Sequence, residues 1–135
     1  MSLVGLRAGD IVTTLYAFCT GAGTLVTYTG MGLFRATGVR LGSTADIKAS
    51  LVANTILSGA LAAPVTIDAD GGYYLAILST ATTTQPAFVR ASGTSQGVAV
   101  GTGVRKNANS QGGLANLNGN LTPADNGVWY WIACA

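Results

Sequence analysis

Side chains that could perform acid–base or metal chemistry are scarce in this chain of 135 residues. Histidine and glutamate are absent, which removes the usual proton shuttle near neutral pH and the base that activates a nucleophilic serine or cysteine. The carboxylates are Asp10, Asp46, Asp68, Asp70 and Asp125. Each lies in or beside an apparent turn, and no pattern pairs two of them as acid and base. We therefore expect a protein that is not an enzyme and that uses no cofactor.

Two short features could hold a metal or form a cross-link. The run Asp68-Ala69-Asp70-Gly71 matches the opening of a calcium loop, but the residues that follow read as a strand and not as further oxygen ligands. A turn before a strand explains these residues equally well, so no metal site is predicted. Cys19 and Cys134 lie in apolar runs and are expected to pack as small hydrophobes, while a bridge between them stays open.

Charge is unusually sparse, because only 9% of the residues are charged while 49% are hydrophobic. No charged residue occurs between Asp10 and Arg35. A protein with so little charge has little to keep copies apart, so we expect partners, most simply further copies, to cover much of its surface. The alternative is a surface solvated by hydroxyls and amides. Basic residues are scattered, so no nucleic-acid partner is predicted, and glycines and threonines break the uncharged stretch into strands, which argues against a membrane helix.

The elements that must position any site are strands. No segment keeps an apolar 3.6-residue period over three turns, whereas β-branched and aromatic runs alternate with glycine turns. The predicted strands are Ile11–Cys19, Leu25–Tyr28, Met31–Arg35, Val39–Leu41, Asn54–Leu61, Val65–Ile67, Tyr73–Leu78, Ala87–Arg90 and Val128–Cys134. This pattern predicts an all-β fold, a β-sandwich or jelly roll of about eight or nine short antiparallel strands.

The chain is expected to form one domain. Residues 1–9 are predicted to be an N-terminal arm, and residues 10–135 a single sandwich with a Gly/Ser/Asn-rich insert at about 91–120. That insert is either a surface loop or, as we favour, an arm that orders against a neighbour. In the first strand Val12, Tyr16 and Phe18 alternate with Thr13, Leu15 and Ala17, so both of its faces are expected to be covered.

Two groups of residues are candidates for binding. Leu3, Val4 and Leu6 are apolar without an evident core role, so we single them out for contact with a partner or strand exchange between subunits. The aromatic residues of two predicted strands form the second group, which could stack on a sugar or, more simply, face a core or a subunit contact. They are Tyr73, Tyr74, Trp129, Tyr130 and Trp131.

Several runs of small and apolar residues carry a resemblance to a known family. They are Leu6-Arg7-Ala8-Gly9-Asp10-Ile11-Val12-Thr13, Met31-Gly32-Leu33-Phe34, Ala53-Asn54-Thr55, Leu61-Ala62-Ala63-Pro64-Val65-Thr66-Ile67, Gly72-Tyr73-Tyr74-Leu75-Ala76-Ile77-Leu78 and Pro86-Ala87-Phe88-Val89-Arg90. Together they resemble a β-sandwich domain of virion structural proteins in tailed bacteriophages, notably those of actinobacteria. The resemblance covers roughly residues 6–93.

The resemblance implies a structural role in the virion. The chain is short, with no preceding shaft or collagen-like stretch, which favours a capsid decoration or head-fibre protein on the capsid exterior over a tail location. By the same resemblance, the expected partners are copies of the chain, arranged as a homotrimer, and the phage major capsid protein. The alternative function is a tail or baseplate domain that recognises host surface carbohydrate.

Overall fold

The computed structural model describes residues 2–92, 128–130 and 132–135. The strands are β1 (Ser2–Leu6), β2 (Ile11–Gly21), β3 (Thr24–Arg35), β4 (Arg40–Ser43), β5 (Thr55–Thr66), β6 (Gly71–Thr84), β7 (Ala87–Phe88), β8 (Arg90–Ser92), β9 (Val128–Tyr130) and β10 (Ile132–Cys134). A 3-10 turn at Lys48–Ser50 lies between β4 and β5. All strand pairs are antiparallel, and the expectation of an all-β fold is confirmed.

Two sheets make up the body of the molecule. Sheet A has the strand order β1-β6-β3-β4. Sheet B has β2 at its centre, with β5 along one side and both β10 and β7 along the other. The sheets meet at one corner, where Thr44 bridges to Leu61. Strands β8 and β9 form a separate pair.

The core lies between the two sheets, which form the predicted sandwich. Leu15 and Leu57 from sheet B pack with Met31, Leu33 and Leu75 from sheet A, and each of these side chains is at most 1% exposed. Because period-two alternation places every second residue of a strand on one face, these residues define the inner face of each sheet.

Several strands are longer than the sequence pattern predicts. The two strands expected at 25–28 and 31–35 are one strand, β3, of 12 residues, and those expected at 54–61 and 65–67 are one strand, β5. Gly30 and Gly32 were predicted to form turns, but both lie inside β3, because aromatic rings occupy the space that a side chain at each position would need. The ring of Tyr28 lies over Gly30, and the ring of Phe34 lies over Gly32.

The register of β2 changes near its start. Val12 pairs with Val65 but Thr14 pairs with Ala60, so β5 carries three more residues than β2 over this interval. The irregularity brings Val12 onto the same face as Leu15, and both are buried in the core. The grouping of Val12 with Tyr16 and Phe18 that simple alternation predicted is therefore wrong.

Sheet A is buried on both of its faces over part of its area. Phe34, Tyr74 and Ala76 alternate with the inner-face residues of β3 and β6, and they form a second buried cluster with Leu3 and Leu78 packed against it. The segment predicted as an arm, 1–9, includes β1, which pairs with β6. The polar insert at about 91–120 lies almost entirely outside the described residues.

Candidate functional site

The charged side chains of the described residues are concentrated at one end of the sandwich. Strand β2 begins there, β5 ends there, and the turns that join β1 to β2, β3 to β4 and β5 to β6 lie there. The residues are Arg7, Asp10, Arg35, Arg40, Asp68 and Asp70. By contrast, strands β2, β5, β7 and β10 contain no charged residue, so sheet B is uncharged throughout.

At the charged end the carboxylates are engaged in local contacts. Asp70 accepts a hydrogen bond from the backbone N–H of Ala8 (2.7 Å), and Asp10 accepts one from that of Arg7 (2.8 Å). Asp68 pairs with the guanidinium of Arg35, whose hydrogen bond and charge hold the pKa of that carboxyl below its ordinary value. Each aspartate thus has a role in a turn or an ion pair, and no cluster of three metal-ligating side chains occurs within the described ranges.

The outer face of sheet B carries an exposed apolar row that crosses three segments of chain. Phe18 of β2 lies opposite Ile56 of β5, and on its other side its carbonyl accepts a hydrogen bond from the N–H of Val89 (2.9 Å). Ile56 is 59% exposed and Val89 is 38% exposed, while Phe18 is half-buried. Side chains of neighbouring strands lie about 5 Å apart, so these three form one continuous apolar surface.

Two further rows extend this surface along β2. The middle row holds Tyr16, with Ser58 on one side and Ala133 on the other, and the third row holds Thr14 opposite Ala60. We call the three rows together the outer patch. Its residues are Thr14, Tyr16, Phe18, Ile56, Ser58, Ala60, Val89 and Ala133. The patch therefore contains no charged residue. Its side chains are large and apolar at one end, in the row of Phe18, and small at the other end, in the row of Thr14.

The outer patch was not singled out from the sequence. The available signal was the spacing of Tyr16 and Phe18 on one face of a predicted strand, which indicated that this face needs a cover. The contributions of Ile56 and Val89 depend on pairing between distant segments, and the sequence pattern does not reveal that pairing.

The structure gives the three N-terminal candidates packing roles within their own chain. Val4 and Leu6 pack against the main core, and Leu3 packs against the second cluster, where its side chain lies over Gly72. All three are half-buried in β1. The prediction that these three residues have no role in the core is therefore wrong. Contact of these residues with a capsid or another subunit stays a prediction.

The aromatic candidates for glycan contact do not form a surface platform as a set. Tyr73 is 3% exposed and donates its hydroxyl to the carbonyl of Ala69 (2.7 Å), and Tyr74 is 4% exposed in the second cluster. Burial removes both rings from contact with a sugar, which corrects that part of the prediction. Trp129 and Tyr130 belong to β9, their side chains are outside the described set, and Trp131 is not described.

The two cysteines are free thiols. Cys19 is buried on the inner face of β2. Cys134 lies opposite Leu15, which is four residues before Cys19 in the same strand. Burial raises the pKa of both thiols, and in Cys134 the negative charge of Asp10 adds to the effect. A raised pKa keeps each thiol protonated near neutral pH, so neither is poised as a nucleophile.

The chain matches no protein-family model, no curated protein and no solved structure. Across the part of the chain that the structure describes, no helix is long and apolar enough to cross a membrane.

Proposed function

We propose that this chain is a structural protein of a tailed-bacteriophage virion that decorates the capsid exterior and acts through protein contacts, without catalysis. The family resemblance supports the virion role, and the sandwich fold agrees with it. The observation that carries the contact role is the outer patch, in which large apolar side chains lie exposed on a sheet with no charged residue.

The outer patch supports this role through the hydrophobic effect. Fully burying a large aliphatic or aromatic side chain contributes about 1.5–3 kcal/mol, so covering the exposed part of Ile56 contributes about 1–2 kcal/mol. Phe18 and Val89 add to this in the same row, without the cost of desolvating a charge. A protein that binds only the assembled particle stabilises that particle by mass action.

Binding to particles that lack the protein tests this function. Virions of the phage that encodes the chain are prepared with its gene deleted, and the purified protein is added to them. We expect saturable binding to the exterior of the capsid and greater resistance of the loaded particles to heat. Absence of the chain from wild-type virions, or failure of the purified protein to bind the capsid, would contradict the proposal.

A further inference from the structure

We propose that the whole outer face of sheet B, with the outer patch at its centre, is the contact between two copies of this chain, which pack sheet B against sheet B about a two-fold axis. The inference rests on the proposed function, because it names a second copy as the partner that covers the patch in the virion protein. It replaces the homotrimer that the family resemblance implies by a two-fold pair, and contact with the capsid then belongs to other surfaces of that pair.

Charge favours a second copy as the occupant. In a contact about a two-fold axis, residues at the axis face their own counterparts, so a charged residue there would lie against an identical charge. The strands of sheet B contain no charged residue, while the charged residues of the described ranges lie at the charged end, in the Asp46–Lys48 ion pair and at Arg90, which follows Val89 in the chain. The residues at the axis, which are Tyr16, Ser58 and Ala133, are uncharged, so two copies can meet there without like-charge repulsion.

The area of the face is sufficient for a specific contact. Strand β2 has 11 residues, which corresponds to a length of about 35 Å, and three paired strands give a width of about 14 Å. The resulting footprint of about 500 Å² per copy corresponds to about 1,000 Å² in total, the lower bound of specific interfaces. Covering only part of the face would fall below that bound.

The shape of the face favours one orientation. The row of Phe18, Ile56 and Val89 is large, whereas the row of Thr14 and Ala60 is small, and the middle row separates them. A two-fold axis that runs between the sheets and across the strands, at the level of the middle row, places the large row of each copy over the small row of the other. An axis parallel to the strands would instead place the large row of one copy over the large row of the other and would leave a gap between the two small rows.

This arrangement makes a specific geometric prediction. Residues of the middle row face their own counterparts across the axis, with the two sheets about 10 Å apart. Ser58 is exposed in that row, so its two copies come within reach of a short bifunctional thiol reagent when it is replaced by cysteine. The native thiols are half-buried or buried and protonated, so they compete poorly for the reagent.

The first test measures association by sedimentation over a wide range of protein concentration. The wild-type chain is expected to dimerise, and Ile56→Asp, which places two carboxylates in the contact, is expected to raise the dissociation constant at least about 100-fold. Val39→Asp is the matched control, because Val39 is 43% exposed in the turn after β3, away from the patch. It is expected to leave association unchanged.

The second test is cross-linking, which does not depend on a destabilising variant. Ser58→Cys is expected to give a covalent dimer with the bifunctional reagent, and Thr37→Cys, in an exposed turn at the charged end, is not. A monomeric wild-type chain would overturn the inference, and so would an oligomer that Ile56→Asp and Val39→Asp affect equally. A monomer that Ile56→Asp merely unfolds would assign the patch to another segment of the same chain, and would also overturn it.

The outcomes separate this inference from the proposed function. A chain that binds capsids as a monomer retains the function and overturns the inference. A dimer through the outer patch that is absent from virions retains the inference about the contact and contradicts the function.

Discussion

Replacing Gly32 by alanine tests the claim that sheet A packs on both faces. A Cβ at Gly32 would lie 2.7 Å from Cε2 and 3.0 Å from Cζ of Phe34, closer than non-bonded carbons approach. The ring of Phe34 is fully buried, so it cannot move aside into solvent. Overpacking of this kind typically costs about 1–3 kcal/mol, and we expect that loss in the free energy of unfolding.

Gly5→Ala is the matched control, because Gly5 also lies in a strand of sheet A. A Cβ at that position meets no atom within 4 Å. Removing a strand glycine stabilises by about 0.5–1 kcal/mol when the new side chain meets no clash. The two variants are therefore expected to shift the denaturant midpoint in opposite directions, with an unchanged slope. Equal effects of the two substitutions would refute the packing of Phe34 on Gly32.

Three further predictions concern single side chains. Tyr73→Phe removes the hydrogen bond to the carbonyl of Ala69 and is expected to lower the free energy of unfolding by about 0.5–1.5 kcal/mol in a urea titration, and no change would show that the bond contributes nothing. Leu25, which is 67% exposed, has a φ of +52°, so Leu25→Asn is expected to raise the thermal midpoint by relieving up to about 1 kcal/mol of strain, and a lower midpoint would contradict this. Burial alone would raise the pKa of Asp46, but hydrogen bonds from the N–H groups of Thr29 and Lys48 and the charge of Lys48 hold that pKa below its ordinary value. The ionised Asp46 therefore stabilises the fold above about pH 4, and this stabilisation is lost as the pH falls. The fall of the urea midpoint on acidification is therefore expected to be smaller in Asp46→Asn, and an identical pH profile would contradict this role.

The class of the fold was accessible from the sequence, and the strand boundaries were accessible only in part. Runs such as Tyr73–Leu78 have strand composition whatever they pair with, so the all-β class follows from local pattern. Gly30 and Gly32 read as turn residues because a glycine in isolation signals a break. Their place inside β3 depends on the rings of Tyr28 and Phe34, and that contact exists only in the folded sheet.

The candidate surface was less predictable because it depends on pairing between distant segments. The sequence indicated that the face of Tyr16 and Phe18 needs a cover, but Ile56 and Val89 join it only through the pairing of β2 with segments about 40 and 70 residues away. The roles of Leu3, Val4 and Leu6 escaped for the same reason, since β1 acquires them only by pairing with β6. Alternation alone also could not show that both Tyr73 and Tyr74 are buried, because they point to opposite faces of one sheet.

The copy number of the chain in purified virions, measured by quantitative mass spectrometry against the major capsid protein, tests the proposed function most directly. A capsid decoration protein that binds through a repeated contact is expected in numbers comparable to those of the capsid protein. Phage carrying Ile56→Asp are expected to retain fewer copies, whereas phage carrying Val39→Asp are expected to retain the wild-type number. A handful of copies per particle, or none, would contradict a role in capsid decoration.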